Sequence, residues 1–217
     1  MLQPSRQVIS NQQTIHPDLD VVVKKHLQST FQKPITDFNR SAFDVADRVY
    51  QQHHGQFILD SGCGVGESTY HLANQYPDAF VIGVDQSAHR IKCNNDWVLP
   101  GNAMLIRADL IDFWRLAVTA NWQLTRHFLL YPNPWPKKKH LQRRWHGHPV
   151  FSVLKELGGE IELRTNWQLY AEEFAQALML LTGERYQLQR WDPESAITPF
   201  ERKYQLAGQT LYRLTLP

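Results

Sequence analysis

Leu59-Asp-Ser-Gly-Cys-Gly-Val-Gly66 decides the fold, because it joins the end of an apolar run to a turn that only glycines allow. Phe57 to Asp60 reads as a strand, Glu67 to Tyr76 as the helix after the turn, and Ala79 to Asp85 as a second strand. A strand, a tight turn, a helix and another strand make one crossover of a parallel sheet. The rhythm continues with strands over Ala103 to Ala108, Leu124 to Tyr131 and Gly159 to Thr165, the last with Ile161 and Leu163 facing one way. A helix follows over Trp167 to Leu181, and strands over Arg185 to Trp191 and Gln209 to Leu216 close the chain. The stretch between them, Asp192 to Leu206, is too irregular to read as a crossover helix, and a long loop in a compact domain is often functional. Ahead of the sheet, residues 1 to 15 are polar and read as irregular. Two amphipathic helices follow: Asp18 to Phe31, with Leu19, Val23 and Leu27 on one face, and Asp37 to Gln52, with Phe38, Ala42, Val45 and Val49. Gly55 reads as the stop of the second.

With 217 residues there is room for one α/β domain and its core. A hydrophobic fraction of 42% with 20% charged residues excludes a disordered chain. The net charge of +2 implies no polyanion by itself, so such a claim must rest on where the cations cluster. Cys63 and Cys93 have no pairing or zinc-type spacing, which points to a reducing compartment, with no disulfide framework and no metal. No apolar run reaches spanning length and the amino terminus lacks a secretory apolar segment, so a soluble cytoplasmic protein without a membrane partner is expected. The oligomeric state is not legible.

In an open α/β sheet, ligands bind beyond the carboxyl ends of the strands. After the first strand, Asp60, Gly62 and Gly64 form a turn into which a ligand can approach without meeting side chains. A dinucleotide fingerprint would place glycine where Glu67 stands, and a carboxylate there repels a pyrophosphate but tolerates a cation. Asp85 ends the second strand, where an acid accepts from ribose hydroxyls, and Asp109 follows the third, where it can meet an adenine edge. Together they point to S-adenosylmethionine. The bland alternative is that Asp85 and Asp109 cap helices.

Beyond the fourth strand comes Tyr131-Pro-Asn-Pro-Trp-Pro-Lys-Lys-Lys-His-Leu-Gln-Arg-Arg-Trp145. Pro132, Pro134 and Pro136 fix backbone angles. Trp135 offers a face for stacking a base, worth about 1–3 kcal/mol, or for plain core packing. Lys137, Lys138, Lys139, Arg143 and Arg144 form a cationic block suited to phosphates, unless it is merely a solvated face.

From Leu59 onward the chain resembles the bacterial tRNA guanine-N7 methyltransferases, which carry a Phe-Pro-Asp-Pro-Trp-Pro-Lys-Lys-Arg-His turn, a Thr-Asp after the fifth strand and a Thr-x-Phe-Glu near the end. The matching residues are Tyr131 to His140, Thr165-Asn166 and Thr198-Pro-Phe-Glu201. The resemblance implies a Rossmann-like, doubly wound class I methyltransferase sheet with helices on both faces. It implies a methyltransferase domain over 56–217 behind a helical extension, 1–55, that is either an RNA-contacting arm or packing. It further implies that Asp60, Gly62, Asp85 and Asp109 hold S-adenosylmethionine, that Lys137 and Thr198 to Glu201 touch the guanine-bearing tRNA, and that Asn133 and Asn166 lie at the reacting base. Gly64 and Asn133 complete the expected cofactor set.

Asn133 and Asn166 stand where that family has aspartates. Guanine N7 offers its own lone pair, so methylation needs alignment rather than a general base. Recognition is what an amide weakens, since it presents one acceptor and one donor where a carboxylate presents two acceptors. Losing a charged hydrogen bond costs about 1.5–3 kcal/mol per site, unless Glu201 compensates. Other readings stay open: methylation of an exocyclic amine, since Asn133-Pro-Trp is a shortened Asn-Pro-Pro-aromatic turn; an RNA- or cofactor-binding protein with little activity; or a small-molecule methyltransferase with an incidental basic patch.

Overall fold

The computed structural model describes residues 7–93 and 96–215, so residues 1–6 of the expected polar arm and Leu216 of the expected last strand lie outside the description. In chain order the elements are α1 (Leu19–Leu27), α2 (Asp37–Gln52), β1 (Gln56–Ser61), α3 (Glu67–Gln75), β2 (Ala79–Asp85), α4 (Ala88–Ile91), β3 (Ala103–Arg107), α5 (Leu110–Thr119) and β4 (Arg126–Leu130). Three short 3-10 turns between Lys138 and Ser152 follow, then α6 (Val153–Leu157), β5 (Glu160–Thr165), α7 (Gln168–Thr182), β6 (Gln187–Trp191), α8 (Pro199–Leu206) and β7 (Leu211–Thr215). No helix among the described residues is long and apolar enough to cross a membrane.

The chain divides into two compact units. One unit holds residues 33–130 and 156–160; the other holds residues up to 32, 131–155 and 161 onward. In the first, β1 pairs in parallel with both β2 and β4, and β2 with β3. The chain therefore steps outward from β1 to β3, then returns to the other flank of β1 as β4. That reversal is the switch point at which doubly wound sheets bind ligands. β1 is buried at five successive positions, as expected of a parallel strand covered on both faces. Behind it, Phe43, Phe113, Trp122, Tyr50 and Phe57 form an aromatic core, with Tyr50 stacked on Trp122 at 4.5 Å.

α2 has its expected ends, but a different face is buried. Asn39, Phe43 and Ala46 point inward, while Phe38 and Val45 are exposed. Asn39 earns its place by hydrogen bonds: its Nδ2 donates to Asp112 Oδ2 at 2.7 Å and its Oδ1 accepts from the Asp109 N–H at 3.0 Å. α1 stops at Leu27 rather than Phe31, with Leu19 and Val23 buried and Leu27 at the rim.

In the second unit β7 pairs antiparallel with both β5 and β6. α8 falls inside the segment expected to be irregular. Its start is Thr198, whose hydroxyl accepts from the Glu201 N–H at 2.9 Å, with Pro199 in the first turn. A Thr-x-x-Glu start with proline at the first helical position is a helix-initiating pattern.

Candidate functional site

In the first unit, the expected cofactor residues Asp60, Gly62, Gly64 and Asp85 come together at the ends of β1 and β2. Gly62 and Gly64 adopt left-handed φ of 84° and 61°. A Cβ built on Gly62 meets nothing within 4 Å, and one on Gly64 meets only Arg90 Cδ at 4.0 Å. The loop thus faces open space. Asp85 ties it to β2: its Oδ2 accepts from the Gly64 N–H at 3.1 Å and its Oδ1 from the Ser87 N–H at 2.8 Å. Arg90, which sequence reasoning passed over, also reaches Asp85 Oδ2 at 3.3 Å from a half-exposed position. Asp109 lies after β3 and caps α5, its Oδ1 accepting from the Ile111 N–H at 2.9 Å, with Lys33 Nζ 3.5 Å from its Oδ2. That is the capping use weighed above.

Asp60 is the unusual group. It is 1% exposed. Its Oδ2 accepts from Ser68 Oγ at 2.6 Å and Thr69 Oγ1 at 2.7 Å, while its Oδ1 is buried and unpartnered among the described residues. Burial pushes its pKa up to about 6, against the two hydroxyl hydrogen bonds and with some help from the nearby Asp85 charge. A buried acceptor left unmet beside an open glycine loop fits a cationic, donor-bearing ligand. S-adenosylmethionine has a sulfonium and an ammonium, so the residues present fit it.

The second unit carries Asn133, Lys137, Asn166, Thr198 and Glu201. The proline-rich turn is strained at two residues, Tyr131 at φ 53° and Trp135 at φ 45°, conformations that cost about 1–3 kcal/mol each for side-chain-bearing residues. Surrounding bonds hold it. The Tyr131 N–H donates to Arg164 O at 2.8 Å, and the Tyr131 hydroxyl donates to Glu201 Oε1 at 2.7 Å. Asn133 is exposed, and its Oδ1 accepts from the Trp135 N–H at 3.3 Å. Trp135 is half-buried with the Arg143 guanidinium 4.9 Å over its ring.

Arg144 does not belong to the phosphate-facing block. It is fully buried, because its guanidinium is spent on the interior: it pairs with Glu173 at 2.5 Å and donates to Gln12 Oε1 at 3.0 Å and Trp135 O at 3.2 Å. Glu173 is also fully buried and accepts from His146, Gln12 and the His16 N–H. Burial pushes its pKa up, but the His146 hydrogen bond and the neighbouring charges outweigh that and hold it at about 2. Lys137, Lys138, Lys139 and Arg143 remain exposed.

Glu201 is likewise enclosed, at 0% exposure. It accepts from Tyr131, Arg164, Trp191 Nε1 and the Ile197 N–H, so its lone pairs serve the fold and the expected compensation at the base is not available from it. Thr198 is spent as the cap of α8. Asn166 is partnered by a residue that sequence reasoning missed, since its Nδ2 donates to Gln209 Oε1 at 2.8 Å. No sequence pattern links positions 43 residues apart.

A parallel sheet with a switch point at β1, an open glycine loop and acids at the strand ends define a methyltransferase of the class I fold. A model of the family described as "Putative methyltransferase" matches residues 54–214. The tRNA (guanine-N(7)-)-methyltransferase of Pseudomonas paraeruginosa is 31% identical over 168 residues, spanning 72% of this chain and 68% of the relative. The chain therefore belongs to the tRNA (guanine-N(7)-)-methyltransferase family. The fold is shared with an antibiotic-related methyltransferase, TM-score 0.57 at 15% identity over 86% of this chain and 96% of that one. It is shared too with the 16S rRNA (adenine(1408)-N(1))-methyltransferase of Catenulisporales acidiphilia, TM-score 0.54 at 17% identity over 85% and 93%.

Proposed function

We propose that this chain methylates N7 of a guanine in tRNA, using S-adenosylmethionine, in the cytoplasm. The observation that carries the reading is the unmet Asp60 oxygen beside the open Gly62–Gly64 loop, in a chain of this family. When bound, S-adenosylmethionine supplies an electrophilic methyl on a sulfonium and departs as a neutral thioether. Asp60 and Asp85 would supply the negative potential that favours such a cation, and Asp85 would accept from ribose hydroxyls in place of Arg90. Asp109, which caps α5, would border the adenine.

On the acceptor side, N7 presents its lone pair directly, so the chain has only to align the base and tolerate the cationic product. Asn166 serves that alignment: with its NH2 donating to Gln209, its oxygen is left to accept from guanine donors. Asn133 contributes turn geometry through its bond to the Trp135 N–H, which leaves its oxygen less suited to an exocyclic amine. Thr198 and Glu201 act on the substrate through the shape they give the turn. Lys137 meets phosphate. In this reading residues 56–217 form the methyltransferase domain and residues 1–55 an extension that contributes to it.

The test is to incubate unmodified tRNA with the purified chain and S-adenosylmethionine and digest it to nucleosides. 7-Methylguanosine by mass spectrometry is the expected product; an N-methylated amine, or no product, overturns the assignment. Asp85→Ala should abolish calorimetric cofactor binding, and retained affinity would remove Asp85 from the site.

A further inference from the structure

In the second unit, the amino-terminal segment 10–16 is stitched to the basic turn. Ser10 Oγ donates to Pro136 O at 2.5 Å, Asn11 Oδ1 accepts from the Lys138 N–H at 3.2 Å, and Gln12 and His16 both donate to the buried Glu173. The arm is therefore a wall rather than a loose tail. Between it, the start of α1 and the lysines lie two adjoining hollows of about 650 and 520 Å³, sharing His16, Asp18, Lys138 and Lys139. Each falls in the roughly 300–1,000 Å³ range of ligand clefts. Lys137 and Ile9 line the first, and Arg143 the second. Ile9 is 84% exposed.

We infer that this groove is a track for the RNA backbone flanking the target nucleotide, and that the arm, through Ile9 and Asn11, is one of its walls. The inference rests on the tRNA reading above and locates a surface for it. Charge complementarity selects the occupant. Lys137, Lys138, Lys139 and Arg143 present four cations against one carboxylate, Asp18, and all four are exposed. Two hollows in series suit successive nucleotides of a chain better than one small molecule, with phosphates on the lysine wall and apolar Ile9 and Pro136 against a base or ribose. Arg144 works from beneath: its bonds to Gln12 and to the carbonyls of Trp135 and Lys137 fix arm and turn together.

The test places opposite charges at exposed position 9 of the full chain. Ile9→Glu should weaken tRNA binding about tenfold at low salt, whereas Ile9→Lys should tighten it and steepen the log–log salt slope by about one. Cofactor affinity should be unchanged in both. Affinities that do not move, or that fall alike in both variants, overturn the groove. A benzophenone amino acid at position 9 should crosslink to bound tRNA on irradiation; adducts only to a second copy of the chain or to another protein overturn it. If position 9 is silent while Lys137→Ala still weakens binding, the arm is excluded and the tRNA reading survives. An unaltered chain that fails to bind tRNA sinks both.

Discussion

Two fully buried carboxylates, one in each unit, have opposite fates. Glu173 is surrounded by Arg144, His146, Gln12 and the His16 N–H, and its pKa is held at about 2. Among the described residues Asp60 has two hydroxyl donors on one oxygen and none on the other, and its pKa is pushed up to about 6. The first is a finished structural joint that holds a strained turn in shape. The second is an incomplete one, and a buried polar group left wanting in a folded protein needs an explanation such as a ligand. What singles out Asp60 is the combination of an unmet buried oxygen with the open Gly62–Gly64 loop beside it.

The largest expected effect breaks the finished joint. Arg144→Ala would leave Glu173 buried without its main counter-charge, a loss of about 3–5 kcal/mol, a large part of the roughly 5–15 kcal/mol that holds a typical domain. Guanidinium denaturation should show the midpoint falling steeply. A neutral result would mean that the network does not hold the arm and turn. Asp60→Asn should do the reverse at neutral pH. Its net upward shift, from 3.8 to about 6, corresponds to about 3 kcal/mol against the charged form, so the ligand-free variant should melt higher. It should also lose most of the stabilisation that added S-adenosylmethionine gives the parent. Thermal melts with and without cofactor measure both.

The same contrast fixes the acid behaviour. Glu173 has a folded pKa below its usual 4.5, so its contribution is present above pH 4.5 and lost as pH falls toward 2. Asp60 has a folded pKa above its usual 3.8, so its contribution is present below pH 3.8 and lost as pH rises through about 6. The folded state should thus gain from Glu173 on going up from pH 2 to 4.5 and give back through Asp60 between about 4 and 6. Denaturation across this range should show the falling limb in the parent and not in Asp60→Asn.

How far these two groups could be foreseen differs. Asp60 was legible because its neighbours in sequence, the glycines and the strand before them, are its neighbours in space. Glu173 and Arg144 were not, since Gln12, Arg144 and Glu173 converge from three separate stretches, and a run of cations reads as a surface until one proves to be buried. α2 shows a similar limit: its ends at Thr36 and Gln52 follow local signals, but its inward face includes Asn39, which hydrophobicity rejects and Asp112 accepts. The strands β1 and β2 were plain from their apolar runs. α8 was overlooked although Thr198-Pro-Phe-Glu201 spells its start, because Asp192 to Leu206 as a whole reads as too irregular for a crossover helix; the bonds of Thr198 and Glu201 go inward.

The smallest expected effect concerns Asn166, where the sequence departs from its family and the structure supplies a partner. Gln209 Oε1 takes one hydrogen of the Asn166 amide and so fixes which end of it can accept from a base. Without that bond the amide turns freely, and half its orientations present a donor to the guanine donors. Gln209→Ala should therefore lower kcat/KM for tRNA by about three- to tenfold, the value of one neutral hydrogen bond, with cofactor affinity untouched. Gln209→Glu keeps an acceptor and should retain activity. Asn166→Asp should gain it, because the Gln209 amide can rotate to donate to the new carboxylate while the other oxygen accepts from the base. Should Gln209→Ala instead weaken S-adenosylmethionine binding, Asn166 would serve the donor side and not the base.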